Sequence, residues 1–248
     1  MKIAVLSDIH SNLEALRACL IHARIQGADQ YVFLGDMLGY GPDPGACLEI
    51  IQNMVKDGAL AVLGNHDEAV LGGDCENLAY VARDAILWTR QQLKQAELDF
   101  VQSLPLVDQA GYVFYVHASA DVPERWTYIN NAAEAAKCMA ASGKPLTIVG
   151  HVHNQVLYYR AEGGDVHSFV PALGVEIPLM LHSRQWLAIA GSVGQPRDGN
   201  PAAAYLLHDT ERATLTFFRV PYDHSRAARK VREAGLPERL AYRLETGN

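Results

Sequence analysis

The segment Lys2-Ile3-Ala4-Val5-Leu6-Ser7-Asp8-Ile9-His10 decides how the rest of the chain is interpreted. Its apolar run, residues 3–6, is short and ends at polar residues, which is typical of a strand buried inside a sheet. Asp8 and His10 follow this strand directly. Because alternate residues of an extended chain point in the same direction, we expect the carboxylate and the imidazole on one side of the strand end.

The same arrangement recurs in the next part of the chain. Residues 31–34 form an apolar run that ends at Gly35-Asp36, and residues 59–63 form another that ends at Gly64-Asn65-His66-Asp67. Helices are expected between these runs. Their start signals are a capping box and an Asp-Pro pair, and the predicted helices run from Ser11-x-x-Glu14 to Gly27 and from Asp43-Pro44 to about Val55. This alternation predicts parallel strands with crossover helices, whose functional residues gather at the carboxyl ends of the strands.

The second half of the chain begins with the same pattern and then changes. We predict a helix over residues 76–104, a strand over 112–116 that ends at His117, a helix over 130–142, and a strand over 146–149 that ends at Gly150-His151-Val152-His153. Short strands then follow one another closely, at residues 156–159, 166–170, 175–181, 186–190, 203–207 and 213–220. They predict a mostly antiparallel second sheet. The expected organisation is a single domain over 1–248, with a C-terminal helical segment at about 222–248 whose basic residues face solvent.

Composition excludes several classes of protein. Of the 248 residues, 49% are hydrophobic and 20% are charged, unlike disordered, collagen-like or coiled-coil chains. The net charge of −7 argues against duplex nucleic acid as a partner. No apolar run reaches the ~18 residues that span a bilayer, so no membrane partner is expected. The N-terminal run is too short for a signal peptide, and no Cys-x-x-Cys pair occurs. A cytoplasmic protein with reduced thiols is expected.

The residues at the strand ends share one chemical property, since all of them offer an oxygen or an imidazole nitrogen and none is a cysteine. The set is Asp8, His10, Asp36, Asn65, His117, His151 and His153. Such a mixture suits Mn²⁺, Fe²⁺, Co²⁺, Ni²⁺ or Zn²⁺, and it is large enough for a pair of ions that share one carboxylate. Each motif alone is typical of an ordinary turn. Their occurrence together, each after a predicted strand, favours a metal centre.

These motifs resemble those of the calcineurin-like metallophosphoesterase superfamily. The resemblance implies an α/β fold, a four-layer αββα sandwich with two mixed sheets flanked by helices. It further implies that Asp8, His10, Asp36 and His153 hold one ion, that Asp36, Asn65, His117 and His151 hold the other, and that Asp36 bridges them. The stretch after Asp36 lacks the Asp-Arg-Gly of the serine/threonine phosphatases. The chain is therefore more similar to the compact prokaryotic phosphodiesterase branch, although Ala118 follows His117 where glycine is frequent.

The function that this resemblance implies is metal-dependent hydrolysis of a small phosphate ester or nucleotide. Two divalent ions, with Mn²⁺ expected first and Fe, Ni, Co or Zn as alternatives, would supply a bridging hydroxide as nucleophile. His66 is expected to protonate the leaving group or to bind a phosphate oxygen. Asp67 is expected to orient His66 through a carboxylate–imidazole hydrogen bond, and Arg197 and Ser192 to bind substrate. Monoester and diester substrates both remain open, as does the oligomeric state. The alternatives are a nuclease, which the acidic balance disfavours, and a non-catalytic scaffold that binds a protein.

Overall fold

The computed structural model describes residues 1–73 and 79–248. The helices are α1 (Leu13–Ile25), α2 (Pro44–Lys56), α3 (Asn65–Val70), α4 (Tyr80–Gln92), α5 (Gln95–Gln102), α6 (Ala132–Ser142), α7 (His224–Glu233) and α8 (Glu238–Thr246). The strands are β1 (Lys2–Leu6), β2 (Gln30–Phe33), β3 (Leu60–Ala61), β4 (Val107–Ala110), β5 (Val113–Val116), β6 (Leu146–Val149), β7 (Gln155–Ala161), β8 (His167–Phe169), β9 (Ile177–Pro178), β10 (Arg184–Ala190), β11 (Ala203–Asp209) and β12 (Thr214–Val220).

Two six-stranded mixed sheets form the centre of the molecule. One has the strand order β3-β2-β1-β11-β12-β9, and the other has the order β4-β5-β6-β10-β7-β8. In the first sheet β1 pairs parallel with β2 and antiparallel with β11. In the second, β6 pairs parallel with both β5 and β10. The predicted crossover helices α1 and α2 join the parallel strands β1, β2 and β3.

Residues of β1 show why the sheets are stacked. Ala4 and Leu6 belong to a core cluster that also contains the apolar faces of α1 and α2. Ile3 and Val5 lie on the opposite face, in a cluster shared with strands of the second sheet. Helix α6 covers the outer face of that second sheet. A strand that is apolar on both faces must be covered on both, and the resulting four layers confirm the predicted fold.

The late strands do not form a sheet of their own, and that prediction is wrong. Strands β7, β8 and β10 extend the second sheet, while β9, β11 and β12 extend the first. The reason is burial, because β10 and β11 carry apolar residues on both faces and therefore lie at the centres of the two sheets. Strand β4, which the sequence did not predict, forms the edge beside β5.

Several local predictions also change. Asn12 rather than Ser11 caps α1, since its side chain accepts a hydrogen bond from the amide of Ala15 at 3.1 Å. The predicted helix over 76–104 is interrupted at Leu93, whose backbone is extended, so α4 and α5 are separate. Residues 76–78 of that prediction lie outside the described residues.

The C-terminal helices α7 and α8 pack against α4 through a small apolar cluster. Leu240 and Leu244 of α8 contact this cluster together with Ala82 and Ala85 of α4 and with Tyr40, which follows β2. Helix α7 also lies on α1, where Lys230 contacts the Glu14 carboxylate at 3.0 Å. Helix α8 therefore lies beside the carboxyl ends of the strands of the first sheet. Across the described ranges, no helix combines the length and the apolar character needed to cross a membrane.

Candidate metal centre and its cleft

All the candidate metal ligands lie together at the carboxyl ends of the parallel strands. The loops after β1 and β2 are joined by backbone hydrogen bonds, including one from the amide of His10 to the carbonyl of Asp36 at 2.9 Å. The loop after β6 is tied to them by the amide of His151, which donates to the Asp8 carboxylate at 3.0 Å. Six of the side chains are buried, and Asn65 is half-buried. Loops from both sheets thus contribute to one site.

The backbone at this site adopts a conformation that most residues avoid. Positive φ angles occur at Asp8 (53°), His10 (48°), Asp36 (50°), His151 (65°) and His153 (69°). Such angles are uncommon outside glycine, and backbone strain of this kind costs about 1–3 kcal/mol per residue. Strain concentrated at five candidate ligands indicates that the fold holds them in place for a purpose other than stability.

The first group of donors consists of Asp8, His10 and His153. The Nε2 atoms of the two histidines lie 3.1 Å apart, and His153 Nε2 lies 3.1 Å from Asp8 Oδ1. The Nδ1 atom of each histidine faces a backbone carbonyl, of Leu38 for His10 and of Gln195 for His153. When Nδ1 donates its proton to the carbonyl, Nε2 keeps its lone pair. Two facing lone pairs cannot bond to each other, but both can bind one cation.

The second group consists of Asp36, His117, His151 and Asn65. His117 Nε2 lies 3.2 Å from His151 Nδ1 and 3.1 Å from Asn65 Oδ1. The opposite nitrogen of His117 faces the carbonyl of Leu34 at 2.6 Å, which orients Nε2 toward the other donors, where a cation would take the place of its proton. The donor atoms of Asp36, His117 and His151 lie within 4.8 Å of one another. Their oxygen and imidazole chemistry fits a borderline divalent cation.

Asp36 contacts both groups. Its Oδ2 atom lies 3.7 Å from His10 Nε2 and 3.4 Å from His117 Nε2, while Oδ1 accepts a hydrogen bond from the amide of His66 at 2.8 Å. Burial lowers the pKa of His117, but the Asp36 carboxylate outweighs it and raises this pKa to about 9. At His10 and His151 burial dominates instead and lowers both pKa values, so Asp36 favours positive charge most strongly at His117.

His66 lies beside the centre and lines the cleft above it. Its Nδ1 atom is buried without a hydrogen-bond partner among the described residues, and burial lowers the pKa of the imidazole to about 4. The predicted hydrogen bond from the His66 imidazole to the Asp67 carboxylate does not form. The Asp67 carboxylate instead accepts from the amides of Leu38 at 3.0 Å and Gly64 at 3.1 Å. Burial raises the pKa of Asp67 to about 7, and this side chain holds the loops rather than the imidazole.

Ser192 does not face the cleft. Its hydroxyl is fully buried, donates to the carbonyl of Asp8 at 2.8 Å, and accepts from the amide of Gln195 at 2.8 Å. The neighbouring Gly194 is needed for the same contact, because a Cβ atom there would lie 1.9 Å from the carbonyl oxygen of Ile9. This loop therefore supports the Asp8 loop, and the structure gives the Ser192 hydroxyl no free position for substrate.

Arg197 lies in the wall of the cleft. Its Nη2 atom donates to Gln195 Oε1 at 3.1 Å and lies 3.5 Å from the Tyr40 hydroxyl. The adjacent Asp198 pairs with Arg219 instead. The cleft has a volume of 740 Å³ and joins the metal centre at His66, Asn65 and His151. Its other walls contain the aromatic residues Tyr40, Trp126 and Tyr128 and the basic residues Arg125, Arg239 and Arg243.

Sequence reasoning missed most of these cleft residues. Tyr128 stacks on His151 with ring centroids 3.9 Å apart, and Tyr40 lies between His10 and His66. The only signal for Tyr40 is its position between two glycines after Asp36. Arg243 belongs to the basic C-terminal segment, which was expected to face solvent. It is half-buried instead and contacts Gln195 at 3.4 Å.

Comparison with known proteins agrees with this geometry. Residues 1–213 match the model of the calcineurin-like phosphoesterase superfamily domain. The chain belongs to the calcineurin-like phosphoesterase superfamily. As a member of this superfamily it is a metallophosphoesterase, a hydrolase of phosphate esters.

Relatives of this phosphoesterase match it over nearly the whole chain. An uncharacterized protein of Methanocaldococcus jannaschii is 36% identical, with 99% of this chain and 98% of the relative covered. The crystal structure of a metallophosphoesterase from Sphaerobacter thermophilus is 37% identical, with a TM-score of 0.88 and coverage of 100% and 99%. A hypothetical protein from Pyrococcus horikoshii shares the fold at 20% identity, with a TM-score of 0.79 and coverage of 100% and 98%.

Proposed function

We propose that this phosphoesterase uses a binuclear metal centre to hydrolyse small phosphate esters or nucleotides. The observation that carries the proposal is the position of Asp36 Oδ2, between His10 of one donor group and His117 of the other. A carboxylate shared in this way is the arrangement by which two ions are held close together in phosphatases and nucleases.

The residues that would hold the ions follow from the two donor groups. Asp8, His10 and His153 would hold one ion, Asn65, His117 and His151 the other, and Asp36 both. Divalent ions bound there would supply Lewis acidity, which lowers the pKa of a water molecule and neutralises charge on phosphate oxygens. Mn²⁺ is the ion that we propose, with Fe, Ni, Co and Zn as alternatives.

The other side chains of the site have separate tasks. The His66 imidazole lies where the cleft meets the metal centre. Burial holds it neutral in the free protein, and the negative charge of a bound phosphate would raise its pKa so that it donates a proton to the leaving oxygen of the ester. The Arg197 guanidinium, which lies 5.8 Å from the Tyr40 ring, would bind a phosphate oxygen of the substrate. Asp67 and Ser192 would hold the loops that carry these residues and the ligands.

A substrate panel tests the proposed function. Protein freed of metal by a chelator and then reconstituted with Mn²⁺ is assayed on p-nitrophenyl phosphate, bis-p-nitrophenyl phosphate and a set of nucleotides. We expect turnover that requires the metal and that differs between the monoester and the diester. Equal rates with and without metal on every substrate would contradict the proposal.

A further inference from the structure

Three arginines lie together in one wall of the cleft. Arg197, Arg239 and Arg243 line the cleft, and none of them forms an ion pair with any residue that the structure describes. Arg219 and Arg232, in contrast, are paired with carboxylates. Exposed arginines need no partner, but Arg197 and Arg243 are each partly buried. A set of partly buried cations that face a cleft has unused capacity to bind an anion.

Two of the arginines come from α8, which lies beyond the residues that match the family model. Arg239 and Arg243 are four residues apart, so they lie on one face of the helix. Leu240 and Leu244 anchor the adjacent face of α8 in the apolar cluster with α4. Because this packing fixes the helix, both arginines are held beside the cleft, Arg243 half-buried and Arg239 exposed.

Arg197 and Arg243 share one weak partner. Both donate to Oε1 of Gln195, at 3.1 Å and 3.4 Å respectively. A neutral amide oxygen cannot compensate two positive charges that are brought together, and burial, followed by Arg197, lowers the pKa of Arg243. An anion placed between the two guanidinium groups would relieve this repulsion and accept charge-assisted hydrogen bonds from both.

Arg197, Arg239 and Arg243 together are called the arginine cluster, and Tyr40 connects this cluster to the metal centre. The ring of Tyr40 lies 4.5 Å from that of His66 and 4.6 Å from that of His10, between ring centroids. The Arg197 guanidinium carbon lies 5.8 Å from the same Tyr40 ring. The Tyr40 ring alone thus separates His66, on the proposed leaving-group side of the centre, from Arg197 of the cluster. A small ligand is long enough to reach across this separation.

The cleft walls otherwise carry little competing negative charge. The carboxylates among the described lining residues are Glu68 and Glu124. Glu68 accepts a hydrogen bond from the Trp126 indole at 2.9 Å, and Glu124 lies at the outer rim, where it is exposed. The volume of 740 Å³ is sufficient for a substrate that reaches from the centre to the arginines.

We propose that the substrate carries a second phosphate group, which Arg197, Arg239 and Arg243 bind while the first phosphate is at the metal centre. This inference rests on the proposed function and narrows it to substrates with two phosphates, either linked to each other or carried on one small molecule. Arg239 and Arg243 are then specificity-determining residues supplied by α8.

The test measures binding rather than turnover. Diphosphonates with linkers of one to three carbons resist hydrolysis, and methylphosphonate supplies a single-phosphate reference. Their dissociation constants are determined by calorimetry for Mn²⁺-loaded wild-type protein and for the variants Arg243→Gln and Arg239→Gln. Arg229→Gln is the matched control, since Arg229 is an exposed arginine of α7 that does not line the cleft.

We expect at least one diphosphonate to bind wild-type protein ten or more times more tightly than methylphosphonate. Arg243→Gln should reduce this preference about tenfold or more, as for the loss of a charge-assisted hydrogen bond, and Arg229→Gln should leave it unchanged. Chelation of the metals by a diphosphonate would raise its affinity equally in all four proteins. A preference that is absent, or that survives both α8 variants, overturns the inference.

The proposed function is judged separately in the same preparations. Turnover of p-nitrophenyl phosphate by wild-type protein depends on the metal centre and needs no second phosphate. Metal-dependent turnover without a diphosphonate preference would refute only the role of the arginine cluster. A diphosphonate preference without any metal-dependent turnover would refute the proposed chemistry and leave the cluster as an anion-binding site.

Discussion

Asp36 is the residue on which the proposed geometry depends most, because it is the carboxylate that contacts both donor groups. We predict that Asp36→Ala lowers the metal content after Mn²⁺ reconstitution from about two ions per chain to fewer than one. The remaining donors would keep only partial sets around each ion. Elemental analysis of gel-filtered protein measures the stoichiometry. A wild-type stoichiometry of one that does not respond to Asp36→Ala would contradict the shared carboxylate.

His66 is the residue with a proposed proton-transfer role and no place in the ligand set. His66→Ala should retain the wild-type metal content and lose about 10²–10⁴-fold in kcat, the usual range for an acid–base group. The loss should be larger for a nucleoside leaving group than for p-nitrophenolate, which leaves without protonation. Steady-state kinetics on both substrates measure this difference. An equal loss on both would assign His66 to phosphate binding instead.

Gly39 determines where the His66 ring can lie. A Cβ atom at Gly39 would be 2.7 Å from His66 Nδ1, and the φ angle there is +82°. Gly39→Ala should therefore displace the imidazole and lower kcat without loss of metal. Gly58→Ala is the matched control, because its φ is +102° and nothing lies within 4 Å of the added carbon. Comparable losses of kcat in both variants would show that backbone strain alone is responsible.

At the scale of single elements, His208 of β11 links the two sheets. Its imidazole is fully buried and its Nε2 atom lies 2.9 Å from the hydroxyl of Tyr112, which precedes β5. Burial lowers the pKa of His208 from 6.5 to about 4, partly offset by Asp209 and reinforced by the N-terminal ammonium group. The folded protein thus holds His208 neutral in a pH range where the unfolded chain binds a proton.

A pH dependence follows from this shift. The contribution of His208 to the free energy of unfolding is complete above pH 6.5 and is lost as the pH falls toward 4, by up to about 3 kcal/mol. His208→Gln removes the titration and keeps a partner for Tyr112. Urea unfolding of metal-free protein at pH 7 and pH 4.5 should therefore show a smaller acid loss in this variant. The exposed His182→Gln is the control and should follow wild type.

The sequence predicts positions that depend on neighbouring residues, but it does not predict which distant elements pack together. The convergence of the candidate ligands was predictable because each follows its strand within a few residues, as Asp8 follows β1 and His151 follows β6, so a local pattern determines its position. The division of β7–β12 between two sheets depends on which distant strand each one pairs with, and no local pattern encodes that choice. Arg243 was misassigned for the same reason, since only the packing of α8 on α4 brings it to the cleft.

At the scale of the whole molecule, metal binding should contribute to stability. The facing imidazole nitrogens of the two donor groups would bind cations only in the folded chain, and a ligand that binds only the folded state stabilises it by about 2.7 kcal/mol at a hundredfold excess over Kd. For a chain of this size we predict that Mn²⁺ raises the melting temperature by roughly 5–10 °C per site over protein in chelator. Calorimetric scans measure the shift. His153→Ala should show a smaller one.

The pairing of β1 with β11 also sets the order in which the molecule can be assembled. Lys2 lies opposite Asp209 in the register, so β1 leaves the ribosome before its partner strand, which is made about 200 residues later. At ordinary rates of synthesis this takes roughly 10–40 s. During that interval one edge of β1 has no partner, and an open strand edge is a template for pairing with other chains. A nascent chain that stalls before β11 would therefore be prone to aggregation, and the Asp8 loop would remain unfinished until its neighbouring strand arrived.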